Sequence, residues 1–170
     1  MPIVENGKMP DDLVAQKTPV LLSQIRSMVA ASPSLESLQR EIATQIAHSL
    51  SYCSWTGFYM LDPADPHTLV LGPFVGAPTP HVRIPVSQGI CGAAVASGET
   101  VIVDDVAADP RYLSCSIETR SEIVVPIYAH GRVAGEIDID SYDPAAFTAA
   151  DRLFLEEVAR IVGGYIEQHP

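Results

Sequence analysis

The sequence is poor in positive charge. Its 170 residues contain 10 lysines and arginines against 21 aspartates and glutamates, so the formal net charge is −11 at pH 7. Surfaces that bind nucleic acid or anionic lipid need clustered cationic side chains. The composition therefore excludes nucleic acid and the membrane as partners and favours a small cationic or zwitterionic ligand, or another protein.

Long hydrophobic runs are also missing. No apolar stretch approaches the roughly 18 residues of a membrane-spanning helix. The N-terminal stretch MPIVENGKMPDD lacks the basic and then apolar order of a signal peptide. We therefore expect a soluble, cytoplasmic protein.

Cysteine is scarce, with three residues, Cys53, Cys91 and Cys115. The count is odd, and the spacing contains neither CxxC nor a zinc-ligand pattern. This predicts neither a secreted disulfide framework nor a metal site. In a reducing compartment, thiols kept near each other are more often catalytic than structural.

The length is that of one domain. Residues 1–16 are predicted to be an N-terminal tail, with the first helix beginning at Lys17, and residues 17–170 the domain. The hydrophobic pattern predicts two helices, three strands, a short helix, one strand, a two-stranded hairpin and a final helix. Because hairpins dominate, we expect an α+β fold in which an antiparallel sheet has helices packed on one face. Loops and the short helix should form a roof over the other face, with a ligand pocket beneath it.

The two strands of the last hairpin flank His130-Gly131. A two-residue turn would set Glu122 opposite Ile139. A three-residue loop with a left-handed Gly131 would set Glu122 opposite Asp138 and would place the apolar residues of both strands on one face. We therefore favour the three-residue loop.

In that register the opposite face of the hairpin is acidic. It carries Glu122, Glu136, Asp138 and Asp140. Carboxylates on one face of a sheet cost stability unless a cation or a shared proton offsets their repulsion. A solvated surface is the ordinary interpretation of such a charge run, but two strands contribute here, which favours a site.

The short helix carries one of the cysteines. Ser87 is a candidate N-cap, Gly98 a candidate C-terminal stop, and Cys91 falls in the first turn. Unpaired N–H groups and the helix dipole at that position favour a thiolate. Cys115 follows in the loop before Ser121, while Cys53 lies outside any motif and is expected to be buried.

Five stretches together are similar to a known family. They are SWTGFYML, LVLGPFVG, RIPVSQGICGAAVASGE, SEIVVPI and GEIDIDS. In this order they resemble a GAF domain, and within that superfamily the free methionine-R-sulfoxide reductases. The resemblance covers about Leu38 to Ile166. Its most specific parts are GxCG, a second cysteine in the loop before SEIVVPI, and DIDS.

The resemblance implies an oxidoreductase that reduces free methionine-R-sulfoxide with thiols, without a metal or other cofactor. It implies that Cys115 attacks the sulfoxide and is left as a sulfenic acid. Cys91 would then resolve the sulfenic acid as a disulfide, which a thioredoxin-type dithiol would reduce. The resemblance also implies a homodimer.

Five further residues match substrate-binding positions of that family. The implied carboxylates are Glu122, Asp138 and Asp140, and the implied pocket aromatics are Trp55 and Tyr59. Because Trp55 and Tyr59 are four apart, both lie on one face of a strand. From the residues alone, that face could equally be the hydrophobic core.

The sequence departs from many members of the family at His81, where they carry a third active-site cysteine. Cys91 would then have to resolve the sulfenic acid alone. A second interpretation is a non-catalytic GAF domain that senses a small ligand. Such a sensor needs no paired thiols and is usually fused to an output domain.

Overall fold

The structure is a computed structural model that describes residues 11–114 and 116–170. The predicted nucleophile Cys115 lies outside the described residues. The helices are α1 (Asp11–Ala31), α2 (Leu35–Ser49), α3 (Gly89–Ser97) and α4 (Ala149–Gln168). The strands are β1 (Trp55–Asp62), β2 (Asp65–Val75), β3 (Arg83–Pro85), β4 (Val101–Val103), β5 (Ser121–Ala129) and β6 (Arg132–Ser141). A short 3-10 helix spans Val106–Ala108, and the order of the helices and longer strands is the predicted one.

The strands form one antiparallel sheet in the order β3-β2-β1-β6-β5-β4. Helices α1, α2 and α4 pack on one face, where alternate sheet residues such as Ile123, Ile137 and Ile139 are fully buried. Helix α3 covers part of the other face. The predicted α+β arrangement is confirmed.

The first helix begins earlier than predicted. It starts at Asp11 instead of Lys17, because Val14 is buried in the core between the helices and supplies an additional apolar anchor. The predicted N-terminal tail therefore does not extend over residues 11–16. Residues 1–10 lie outside the described part of the chain.

The turn between β5 and β6 differs from the predicted loop. Ala129 pairs with Arg132, so the turn has two residues, and both His130 (φ 52°) and Gly131 (φ 75°) are left-handed. This is the geometry that the right-handed twist of a hairpin favours. The predicted left-handed Gly131 is confirmed, but the three-residue loop is wrong.

A β-bulge restores the predicted faces. Tyr128 pairs with Val133 but Ile127 pairs with Gly135, so Ala134 is an extra residue in β6. As a result Glu122 lies opposite Asp140 instead of Asp138. The shift is two residues, an even number, so the carboxylates still share one face.

The ends of α3 were predicted only in part. Helix α3 ends at Gly98, which is left-handed as expected, but its N-cap is Gln88 instead of Ser87. Helix α4 begins with a capping box, in which the Thr148 N–H donates to Asp151 Oδ2 at 2.8 Å. Within the described ranges, no helix is both long and apolar enough to cross a membrane.

Two adjacent glycines of α4 provide a matched test of its packing on β5. A Cβ on Gly163 would lie 2.0 Å from the backbone oxygen of Tyr128, whereas a Cβ on Gly164 would meet no atom within 4 Å. We expect Gly163→Ala to lower the free energy of unfolding by about 3 kcal/mol or more. Gly164→Ala should raise it by about 1 kcal/mol, because alanine favours the helix.

Urea denaturation of the two variants measures both changes. Because the substitutions are chemically identical and neighbouring, the difference between them isolates the contact with Tyr128. Equal effects of the two substitutions would contradict the close approach of α4 to β5.

Candidate active site

The predicted site residues lie on three adjacent strands, on the face of the sheet opposite the three-helix core. Across β1 and β6, Trp55 pairs with Asp140, Gly57 with Asp138, and Tyr59 with Glu136. On the other side of β6, Glu122 pairs with Asp140. Because side chains alternate along a strand, these positions share one face. The structure therefore brings the predicted carboxylates and aromatics together.

Helix α3 places a thiol over the carboxylates. Cys91 Sγ lies 3.5 Å from Asp138 Oδ2. One ligand atom each of Cys91, Glu122 and Asp138 lies within 4.8 Å of the other two. All three residues are buried. The predicted proximity of Cys91 to the acidic face is thus present, while the position of Cys115 is outside the described residues.

The carboxyl groups of β6 are buried. Glu136, Asp138 and Asp140 are at most 3 % exposed. Among residues 11–114 and 116–170, none of these three forms an ion pair with a lysine or arginine. Burial raises the pKa of Asp138 to about 6, and it raises the pKa values of Glu136 and Asp140 well above their usual range. Neutral and ionised carboxyls can therefore coexist here near neutral pH.

The expected thiolate character of Cys91 is wrong for this structure. Burial is the largest of the influences that raise its pKa well above the usual value, and the charges of Asp138, Glu136 and Glu122 add to it. The dipole of α3, a helix of only nine residues, is outweighed by these effects. Cys91 is therefore a protonated thiol in the described state.

The two aromatics belong to the site face. The Trp55 and Tyr59 ring centroids are 6.3 Å apart. Trp55 Nε1 donates to the carbonyl of Ala77 at 3.0 Å, and the Tyr59 hydroxyl donates to the carbonyl of His81 at 2.8 Å. Both rings thus pack under the roof and away from the three-helix core, which decides between the two placements that the sequence left open.

Two small cavities lie at the site, and each has a volume of about 10 Å³. One is lined by Cys91, Glu122 and Asp138, together with residues of the roof and of α3. The other is lined by Trp55 and Asp140. Each has room for about one water-sized particle.

The sequence did not indicate the roles of two residues. Glu136 is on the predicted acidic face, but nothing in the sequence showed that its side chain would be fully buried beside Cys91. His81 shows no ligand spacing with the other histidines, and the sequence predicts a structural or surface residue there. Its Nε2 lies 3.0 Å from the carbonyl oxygen of Ser114, so it joins two loops of the roof next to Cys115. The resemblance to the family pointed to His81, because many members carry a third cysteine at that position. The spacing of residues in the sequence alone did not point to it.

Cys53 is separate from this site. It is buried in the core on the helical face of the sheet, and burial raises its pKa. The expectation that Cys53 is simply buried is confirmed. It supplies a natural control for experiments on the other two cysteines.

The pH dependence of stability tests the state of Glu136. A carboxyl whose pKa is raised in the folded chain destabilises the fold once the pH exceeds the pKa of the same group in the unfolded chain, which is about 4.3 for glutamate. Stability then falls by about 1.4 kcal/mol per pH unit for as long as the folded group stays neutral. We expect Glu136→Gln to remove this contribution, so that its free energy of unfolding falls less between about pH 5 and about pH 8.

Urea denaturation at the two pH values measures this difference. Glu41 is exposed on α2, so Glu41→Gln is the matched control and should leave the wild-type profile unchanged. If Glu136→Gln and the wild type lose stability equally between the two pH values, Glu136 is not held neutral in the fold.

The comparisons with known proteins agree with this fold. The family model of the GAF domain matches residues 34–166. The chain is 36% identical to protein YtsP of Bacillus subtilis, over 82% of this chain and 85% of that protein. The chain therefore belongs to the GAF family.

Named enzymes are among its relatives. The chain is 42% identical to the free methionine-R-sulfoxide reductase of Saccharomyces cerevisiae, over 64% of this chain and 61% of that protein. The structure of the Neisseria meningitidis free methionine-R-sulfoxide reductase in complex with its substrate superposes with a TM-score of 0.86 at 36% identity, covering 98% of this chain and 96% of that one. Within the GAF family, the chain belongs with the free methionine-R-sulfoxide reductases.

Proposed function

We propose that this protein reduces free L-methionine-R-sulfoxide to methionine by a cysteine sulfenic acid and an intramolecular disulfide. The observation that carries the proposal is the buried acidic face of Glu122, Asp138 and Asp140 with the Cys91 thiol 3.5 Å from Asp138. The names of its relatives support the same reaction.

The first step needs an acid beside the sulfoxide. A sulfoxide sulfur is a poor electrophile until its oxygen is protonated or strongly hydrogen-bonded. The Cys115 thiolate attacks the sulfur while the acid protonates the oxygen, and a bond forms between the two sulfurs. The S–S and S–O bonds of this adduct then break as the hydroxyl passes to the Cys115 sulfur, so methionine leaves and Cys115 is left as a sulfenic acid. Asp140, whose pKa is raised well above its usual range by burial, is suited to donate to the oxygen, and Glu122 is the second carboxyl assigned to that side of the substrate.

The substrate ammonium needs a negative partner. The pKa of Asp138 is raised only to about 6, so this carboxyl is largely ionised at neutral pH. Asp138 is therefore the suited partner for the ammonium group. Trp55 and Tyr59 provide the apolar surface for the thioether arm of the substrate. A ligand of amino-acid size exceeds the two cavities of about 10 Å³, so the roof has to move for entry.

The second step closes the cycle. The Cys91 thiol attacks the Cys115 sulfenic acid, an S–S bond forms, and water leaves with the sulfenic oxygen. A thioredoxin-type dithiol then reduces the disulfide. We further propose that the protein acts in the cytoplasm and, as the resemblance to the family implies, as a homodimer.

A stereospecific assay tests the proposal. Each epimer of free L-methionine sulfoxide is incubated with the full-length protein and dithiothreitol, and methionine is quantified. A parallel sample without reductant is assayed for free thiols. We expect turnover of the R epimer alone and loss of two thiols per chain without reductant. Absence of turnover with all three thiols unchanged would contradict the proposal and support the ligand-sensing interpretation.

A further inference from the structure

The cavity beside Cys91 has the size and lining of an ion site. Its volume is about 10 Å³, and its polar lining is supplied by Cys91, Glu122 and Asp138. A space of this volume holds about one water-sized particle. It is large enough for a single metal ion and far too small for an amino acid.

The donor atoms are spaced as zinc requires. Tetrahedral zinc binds a cysteine sulfur at about 2.3 Å and a carboxylate oxygen at about 2.0–2.2 Å, so the two ligand atoms lie about 3.5–3.7 Å apart. The distance from Cys91 Sγ to Asp138 Oδ2 is 3.5 Å. A Glu122 oxygen completes a set of three donor atoms that lie within 4.8 Å of one another.

One oxygen of the Asp138 carboxyl has no polar partner in the described part of the chain. Asp138 Oδ1 is buried and has no hydrogen-bond partner among the described residues. A buried carboxylate that lacks a partner is costly, and a coordinated metal is one of the ways in which proteins offset that cost. A dication would offset the charge of Asp138, together with that of the Cys91 thiolate formed when the metal displaces the thiol proton.

We propose that Cys91, Glu122 and Asp138 form a site for a thiophilic divalent cation, zinc or cadmium, within the candidate active site. The thiolate selects soft cations over magnesium and calcium. Binding displaces the thiol proton and carboxyl protons, so affinity rises with pH. A bound cation would hold the Cys91 sulfur and prevent it from forming a disulfide. This inhibitory consequence rests on the proposed function, but the binding itself does not.

Cadmium is the probe for the experiment, because its bond to a thiolate produces an ultraviolet charge-transfer absorption. The titration uses the reduced full-length chain with Cys115→Ser, in which only Cys53 and Cys91 remain. We expect one cadmium ion per chain with a charge-transfer band, and zinc should displace it. Millimolar magnesium should have no effect. Because the readout is spectroscopic, failure of the site and failure of the proposed reaction are distinguishable.

Further substitutions identify the ligands. In the same background, Cys91→Ser should remove the band and Cys53→Ala should retain it. Asp138→Asn should keep the band but weaken cadmium affinity by at least about tenfold. Mutation of a residue that only hydrogen-bonds to a metal ligand already lowers metal affinity by about that factor. A band that survives Cys91→Ser, or an unchanged affinity in Asp138→Asn, would overturn the proposal.

Discussion

Replacing Cys115 by serine is expected to abolish turnover of free methionine-R-sulfoxide, with kcat lowered by more than about 1000-fold. A serine hydroxyl is not ionised at neutral pH and cannot replace a thiolate as the nucleophile. The other two thiols cannot take over the attack. Cys53 lies on the opposite face of the sheet, and the pKa of Cys91 is raised by burial and by the neighbouring carboxyls. Steady-state methionine release with dithiothreitol measures the loss.

Cys53→Ala is the matched control for this experiment. It removes a thiol from the same chain without touching the acidic face, and it should retain turnover. Thermal unfolding of both variants separates loss of chemistry from loss of fold. If the Cys115→Ser protein still turns over at a rate near that of the wild type, Cys115 is not the nucleophile.

Replacing Cys91 by serine should separate the first step of the reaction from the second. The variant keeps Cys115, so we expect one methionine released per chain in a rapid first turnover. Recycling by thioredoxin should then stop, because no described thiol besides Cys91 lies on the site face. Quantifying methionine against time, with thioredoxin and its reductase present, distinguishes the burst from the steady rate.

Small thiols provide the control for this second experiment. Dithiothreitol can reduce a sulfenic acid directly and should restore part of the turnover in Cys91→Ser. The third cysteine of many members of the family is replaced here by His81, so no alternative resolving thiol is expected. An unchanged steady rate with thioredoxin would show that Cys91 does not resolve the sulfenic acid.

The faces of the sheet could be predicted from the sequence because side chains alternate along a strand. The apolar residues of β5 and β6 had to share a face, and this requirement alone placed Glu122 with Asp138 and Asp140. The pairing partners could not be predicted in the same way. The extra residue of the bulge is Ala134, and alanine is not a residue type that marks a bulge. The two-residue turn with its bulge also places the same residues on each face as the predicted three-residue loop, so the pattern of faces does not distinguish the two.

The chemistry of the site was less predictable than its location. The position of Cys91 in the first turn of α3 was right, but its acidity depends on groups distant in sequence. Burial and the carboxyls of Glu122, Glu136 and Asp138 determine it, and their effect appears only when the strands and α3 are assembled. The contact between His81 and the carbonyl of Ser114 also joins two loops that are distant in sequence. No local sequence pattern predicts it.

The bulge at Ala134 restricts how this hairpin can change length during evolution. Gain or loss of one residue between Ile127 and Gly135 would turn Asp138 and Asp140 towards the three-helix core and the isoleucines between them towards the roof. Gain or loss of two residues would leave both faces as they are. Descendants of this sequence should therefore differ in this hairpin by even numbers of residues, and an odd change should survive only beside a second odd change that cancels it.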